Sequence, residues 1–399
     1  MIIFDTNEKL GYYQVGLQKY YSKPLALIEG TKQNIHPEWR FNHNILGNYN
    51  WQIEPTTDLR ELYRQRAQQL RDKYDYLKLE FSGGGDSSTV LYSFVNNGIH
   101  LDEVIFRYPA AAEKNVSADP YNTKCENTLS EWEYAAKPIL QWLANTHPNI
   151  KITMHDYTEN LVAKPAQDES WVFKTREYFQ PGWIYKHDIR GLKSHLQVMD
   201  SGKTFCTIYG IDKPKMCVRD NAWYLYFMDI MANTANPEVG EYQGQVFSEY
   251  FYWTPDMPEI LAKQCHIIMK WFELPQNKYL QFLVRWPNYS WSQRTTYEQI
   301  IKPLIYPDYD PTTFQVAKPT NNFYNEMDTW FYVNCQQTDY YNVWKAGLEY
   351  LVSHIDKKFF NYELGKPVGL IGFLSEFYKI GEATGLNNTG SVVSRRNFS

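Results

Sequence analysis

A strand, a glycine-rich turn, a helix and a second strand follow one another between residues 76 and 108, and this order constrains the fold more than any other feature. Tyr76-Leu-Lys-Leu-Glu-Phe81 reads as a strand, and Ser82-Gly-Gly-Gly-Asp-Ser87 as the loop that leaves it. Ser87 to Asn96 reads as a helix stopped by Asn97-Gly98, and Glu103-Val-Ile-Phe-Arg-Tyr108 as the next strand. A helix between two strands makes a βαβ unit, whose strands run parallel. The alternation continues with a helix over Leu129 to Asn145, a strand at Ile150 to His155, a helix over Trp183 to Met199 and a strand at Thr204 to Tyr209. Right-handed crossovers then place helices on both faces of one parallel sheet, an α/β fold.

The flanks differ in character. Residues 1 to 55 show no long period and suggest a small cap. Leu59 to Lys73 is an amphipathic helix with Leu59, Leu62, Tyr63, Ala67 and Leu70 on one face. Lys215 to Val218 and Trp223 to Met228 read as a hairpin. From Pro258 the pattern is mainly helical: Pro258 to Phe272, Asn277 to Trp286, Tyr340 to Ile355 and Val368 to Glu382. The expected division is an N-terminal cap and helical region (1–74), an α/β domain (75–239) and a helical C-terminal domain (240–399) that selects the substrate.

Composition excludes several classes. With 40 basic and 45 acidic side chains the net charge is −5, and no basic stripe offers itself to duplex nucleic acid. Cys125, Cys206, Cys217, Cys265 and Cys335 are odd in number and form no C-x-x-C pair, which suits reduced thiols in a cytoplasm rather than a disulfide framework. The first residues carry charge too early for a signal peptide, and Val368 to Leu374, the longest apolar run, is too short to cross a bilayer. A soluble cytoplasmic protein without a membrane partner is expected. Its aromatic residues are spread along the chain, as packing requires, rather than grouped for base stacking.

The chemistry concentrates in Ser82-Gly83-Gly84-Gly85-Asp86-Ser87-Ser88. Glycines let the backbone come close to a guest, and a helix N-terminus offers N–H groups and partial positive charge, so phosphate is the natural ligand. Ser82 and Ser87 can donate to phosphate oxygens. Asp86 would be repelled by phosphate; it suits a helix cap or a Mg²⁺ that neutralises pyrophosphate. Ser201-Gly-Lys-Thr204 lacks the first glycine of a Walker loop and precedes a strand, so it reads as a turn. His266, inside an apolar helix, reads as a packed side chain.

The loop matches S-G-G-x-D-S, and here the chain resembles the PP-loop ATP pyrophosphatase superfamily of adenine nucleotide α-hydrolases. With Ser88 the match is closest to the synthetase domain of asparagine synthetase-like enzymes. The resemblance implies a Rossmann-like sheet with ATP at the carboxyl ends of its strands, attack at the α-phosphate, AMP transfer and release of pyrophosphate. It also directs attention to Arg107 and Tyr108 as the adenine position. Gly210-Ile-Asp-Lys-Pro-Lys215 is a second place of interest. There Asp212, with Asp86, would hold Mg²⁺, while Lys213 and Lys215 offset phosphate charge. The flanking residues depart from the family's longer Asp-Glu motif.

What is missing narrows the reaction. Residue 2 is Ile rather than a nucleophilic cysteine, so no built-in glutaminase is expected. Cysteine pairs for sulfur insertion, a clustered-cysteine zinc site and a cysteine after Cys335 are likewise absent from the sequence. An AMP-forming ATP-dependent ligase acting on a small molecule or nucleotide is the expectation. A sulfur-transfer or reductase enzyme using a partner's thiol, and a non-catalytic nucleotide-binding protein, are the alternatives.

Overall fold

The computed structural model describes residues 8–108, 132–156, 172–173, 193–229, 240–287, 291–309, 336–363 and 365–384. Cys125, Cys335 and parts of the two helices expected at 129–145 and 183–199 lie outside them. The chain opens with β1 (Tyr12–Val15), β2 (Gln18–Tyr20), α1 (Lys23–Gln33) and β3 (Glu38–Arg40), the strands forming an antiparallel sheet in the order β2-β1-β3. The N-terminal cap is therefore a small sheet with a helix. Its strands of three or four residues are too short to show a period in sequence. A one-turn helix, α2 (His43–Leu46), leads to α3 (Leu59–Lys73), whose bounds are those the sequence predicts. The Asp58 carboxylate caps α3 by accepting from the Glu61 N–H, and Leu59, Leu62, Tyr63, Ala67 and Leu70 form its buried face.

The α/β unit follows: β4 (Tyr76–Glu80), α4 (Gly85–Val95), β5 (Glu103–Tyr108), α5 (Lys137–Thr146), β6 (Lys151–Asp156), α6 (Lys193–Asp200) and β7 (Phe205–Tyr209). Next come the hairpin strands β8 (Lys215–Arg219) and β9 (Ala222–Tyr226), joined through Asp220 and Asn221, both at positive φ as a tight two-residue hairpin turn requires. Beyond them β10 (Val246–Tyr250) pairs parallel with β7 and completes a five-stranded parallel sheet in the order β10-β7-β4-β5-β6. The expected boundary at 239 thus falls inside the sheet's own sequence. This is a Rossmann-like α/β fold with a further helical part.

The order fixes where a ligand can bind. The chain lays β5 and β6 to one side of β4 and then returns to place β7 and β10 on the other. Loops leave the carboxyl ends of β4 and β7 at that reversal, the usual ligand position in open α/β sheets.

The two sheet faces are unlike. Leu77, Leu79, Val104, Phe106, Cys206 and Ile208 join the main apolar core with α3 and α4, and the Phe106 ring packs on Trp132 at the head of α5. On the opposite face Lys78, Glu103, Arg107, His155 and Thr207 are all buried, with Met199 of α6 packing on Phe205 and Val246. Arg107 donates to the Glu80 carboxylate at 3.0 Å and approaches His155 Nδ1 at 2.5 Å, while Lys78 lies 3.0 Å from Glu80. Glu103 faces His195 Nε2 at 3.1 Å. Burial, with the Arg107 guanidinium beside it, pushes His155 from 6.5 to about 4. Burial works against an ionised Glu103, yet its hydrogen bond from His195 and that residue's charge contribute to holding it at about 2. Both groups make the folded chain bind fewer protons than the unfolded chain. Stability is expected to fall as pH drops from 6.5 toward about 4 through His155. It falls again from 4.5 toward about 2 through Glu103. Urea midpoints measured across this range check both steps, and His155→Gln makes the first shallower, His195 and His266 being lowered by burial in the same direction.

The remaining elements are α7 (Glu259–Glu273), α8 (Trp291–Ile305), α9 (Asp339–His354), β11 (Phe360–Glu363), β12 (Lys366–Leu370) and β13 (Tyr378–Glu382). The segment from Val368 to Glu382, expected as a helix, is instead strand: β12 pairs with β11, and β13 joins β9 and β8 in a second antiparallel sheet. Gly369, Gly372 and Gly381 disfavour a helix there, at about 1 kcal/mol each. The stretch expected as a helix at Asn277 to Trp286 is a 3₁₀ turn, Lys278–Val284. The apolar core runs without a break from Tyr13 through Leu79 to Trp253 and Phe359. Among the described residues no helix is long and apolar enough to cross a membrane.

Candidate functional site

The loop after β4 is held by its own side chains. The Ser82 N–H donates to Ser87 Oγ at 3.2 Å, the Gly84 N–H donates to Ser82 Oγ at 3.3 Å, and Ser87 Oγ donates back to the Gly84 carbonyl at 3.3 Å. Gly84 stands at the N-cap of α4 without a side-chain cap, so Asp86 is a first-turn residue and makes no cap. The N–H groups of Gly85, Asp86 and Ser87 have no intrahelical acceptor by helix geometry. The Ser88 hydroxyl is buried without a hydrogen-bond partner in the protein. Orphaned buried hydroxyls are uncommon and mark a place where another group can bind.

Three glycines are close-packed against backbone or rings. Gly83 has φ +76°, and a Cβ there would stand 2.5 Å from the Ala136 nitrogen. A Cβ on Gly210 would lie 3.1 Å from Asp86 C and Ser87 N, so the loop after β7 rests on the start of α4. A Cβ on Gly85 would lie 3.2 Å from the Tyr309 ring. Gly83→Ala is expected to lower stability by at least about 1–2 kcal/mol through the left-handed backbone alone. Gly84→Ala, at φ −74° with Ser82 Oγ at 3.4 Å as its nearest neighbour, leaves the fold intact. Urea denaturation of the two variants checks this contrast.

Lys213 crosses from the second loop to the first. Its Nζ lies 2.7 Å from Asp86 Oδ2, 2.9 Å from Asp86 Oδ1 and 3.1 Å from Asp212 Oδ1. Lys215 pairs with Asp212 at 2.7 Å and with Glu298 at 2.9 Å, and Arg294 donates to Glu298 at 3.1 Å. Tyr306 donates to Asp86 Oδ1, and Tyr252 donates to the Asp86 carbonyl at 2.9 Å. Burial by itself would discharge these groups. Lys213 nonetheless stays an ammonium because Asp212 and Asp86 raise its pKa above the lysine range. Against the same burial, Lys213 and Lys215 hold Asp212 below the usual carboxylate range. Glu298 is likewise held at about 2, burial being overcome chiefly by Lys215 and Lys213. The result is a linked chain of three acidic and three basic side chains: Asp86, Asp212 and Glu298 with Lys213, Lys215 and Arg294.

Of the residues expected from sequence, Ser82 to Ser88, Gly210, Asp212 and Lys213 come together. Lys215 does not reach the loop: its ammonium stands behind Asp212, committed to that carboxylate and to Glu298. Arg107 is turned onto the polar sheet face by Glu80 and His155 and is not brought to the loop by any contact of its side chain; Tyr108 ends the same strand and pairs with Asp156. Tyr252, Arg294, Glu298 and Tyr306 complete the site without any expectation from sequence. Only the spacing of Arg294 and Glu298 and the buried stripe Tyr297, Ile301, Ile305 hinted at the helix that carries two of them. His266 is packed as expected, its Nε2 3.0 Å from the Trp51 carbonyl. Ser201 and Gly202 form a turn, as expected.

Among the described residues no three His, Cys, Asp or Glu side chains are placed to hold a metal. Two carboxylates on adjacent loops fit a Mg²⁺ that draws its other ligands from a nucleotide's phosphates, since Mg²⁺ is usually bound through one or two carboxylates and substrate. No protein-family model matches the chain, and no curated protein matches it.

Proposed function

We propose that the chain binds ATP by its phosphates at the loop Ser82–Ser88 and cleaves it to AMP and pyrophosphate, activating a small-molecule or nucleotide substrate for attack by an amine. The observation that carries this reading is the meeting of the β4 and β7 loops at the sheet's reversal, where Lys213 contacts Asp86 beside a helix N-terminus. The N–H groups at the start of α4 and the Ser82, Ser87 and Ser88 hydroxyls would bind phosphate oxygens. Asp86 and Asp212 would hold Mg²⁺, which would supply charge neutralisation for the departing pyrophosphate. Lys213, kept charged and aimed at this point, would offset negative charge as the bond between the α-phosphorus and the pyrophosphate oxygen breaks. No protein nucleophile is required, because in-line displacement depends on alignment and electrostatics. Cys206, Cys217 and Cys265 are buried free thiols, in keeping with a reducing cytoplasm and against a cysteine relay within the described residues. Pyrophosphate release measured across a panel of metabolites and nucleotides tests the reading: release with one substrate class supports it, and ATP binding without release under any condition reduces it to nucleotide binding.

A further inference from the structure

We propose that Tyr306 is a positioning residue for Asp86, so that the chain beyond residue 290 sets the aim of the phosphate-loop carboxylate. The proposal rests on reading the loop as an ATP site. Tyr306 follows α8 directly and is 1% exposed, and its hydroxyl donates to Asp86 Oδ1. Its ring lies 5.6 Å from that of Tyr252, whose hydroxyl holds the backbone carbonyl of the same aspartate. The residue before it is fixed independently, since the Tyr63 hydroxyl donates to the Ile305 carbonyl at 2.6 Å. On the other side a Cβ on Gly85 would meet the Tyr306 ring at 3.5 Å, so the ring lies close against the helix start.

A carboxylate offers about four acceptor sites. Lys213 contacts both oxygens of Asp86 and Tyr306 contacts one of them, which fixes the plane of the group and leaves capacity for one more partner. Without the hydroxyl the lysine alone would hold the carboxylate, free to rotate about its stem. The same region supplies Glu298 to the far end of the chain through Lys215. Both ends of the charged array are thus anchored by one helix and the residue after it.

Tyr306→Phe keeps the ring and removes only the donor. In the full chain, the Mg²⁺ concentration that half-saturates ATP binding is measured by calorimetry for wild type, Tyr306→Phe and Tyr13→Phe, with a thermal melt of each. Tyr13→Phe removes a buried hydrogen bond outside the site, that of its hydroxyl to Asp229. Tyr306→Phe is expected to raise that concentration about 10- to 100-fold, the usual effect of removing a hydrogen bond to a metal-binding carboxylate, with ATP affinity in the absence of Mg²⁺ unchanged. Tyr13→Phe is expected to lower the melting temperature without this shift. An unchanged Mg²⁺ dependence in Tyr306→Phe overturns the positioning role, as does an equal shift in Tyr13→Phe, which would mark general loosening. Wild type that binds ATP with no response to Mg²⁺ also overturns it while leaving the nucleotide reading standing. Wild type that binds no ATP at all overturns both.

Discussion

Asp86→Ala is expected to cut pyrophosphate release from ATP by a factor on the order of 10²–10³ or more, the loss seen when one preorganised electrostatic group is removed. The fold should survive. Lys213 keeps Asp212 as a partner at 3.1 Å, so no buried ammonium is left alone, and the backbone carbonyl of residue 86 keeps the Tyr252 hydroxyl. The cost to stability is the orphaned Tyr306 hydroxyl, about 1–3 kcal/mol for a buried donor without its acceptor. Asp86→Asn retains an acceptor for Tyr306 and separates the two effects: it should restore stability and not activity. A coupled pyrophosphate assay with a parallel urea melt reads both quantities. Turnover retained in both variants would remove Asp86 from the mechanism.

The largest effect on stability is expected far from the loop. Lys23, at the start of α1, pairs with Asp229 at 2.7 Å, and both side chains are fully buried. The other contacts of Asp229 tie distant segments together: the Tyr13 hydroxyl donates to it at 2.8 Å and the Phe373 N–H at 2.8 Å. Asp229→Ala leaves the Lys23 charge buried with no carboxylate and strips two further donors of their acceptor. Breaking a buried pair in this way costs about 3–5 kcal/mol. The equilibrium urea midpoint should fall accordingly, and Lys23→Met combined with Asp229→Leu should recover much of the loss, because it removes both desolvated charges. A midpoint unchanged in Asp229→Ala would mean that the pair contributes nothing to the joint between the N-terminal sheet and the segment at Phe373.

These two residues mark what a sequence can and cannot reveal. The parallel strands β4, β5, β6 and β7 were legible because each is a short apolar run between turn signals, and α3 because its apolar residues recur at helical spacing; β10, the fifth strand of the sheet, was not expected. The loop Ser82–Ser88 was legible because all its geometry is local, from the glycines to the helix that follows. The side-chain partners of Arg107 and Lys215 were not legible, because each is paired across strands or helices with a carboxylate, Glu80 or Glu298, whose proximity depends on the finished fold. Tyr252 and Tyr306 left no trace in sequence, being two tyrosines among 33. α8 was missed because the run Ser292 to Thr296 in its first turns is polar and Pro303 interrupts it. The strands near the C-terminus were missed because the apolar run of β12 has no alternation and because β13 pairs with β9, more than 150 positions earlier.

The central claim is that ATP phosphates sit on the loop between β4 and α4. Amide hydrogen exchange of the wild-type chain with ATP and Mg²⁺, compared with adenosine, tests it most directly. Protection confined to peptides covering residues 82–90 and 208–215, present with ATP and missing with adenosine, is the result expected here. Protection at another place in the chain, or the same pattern with adenosine, would contradict it.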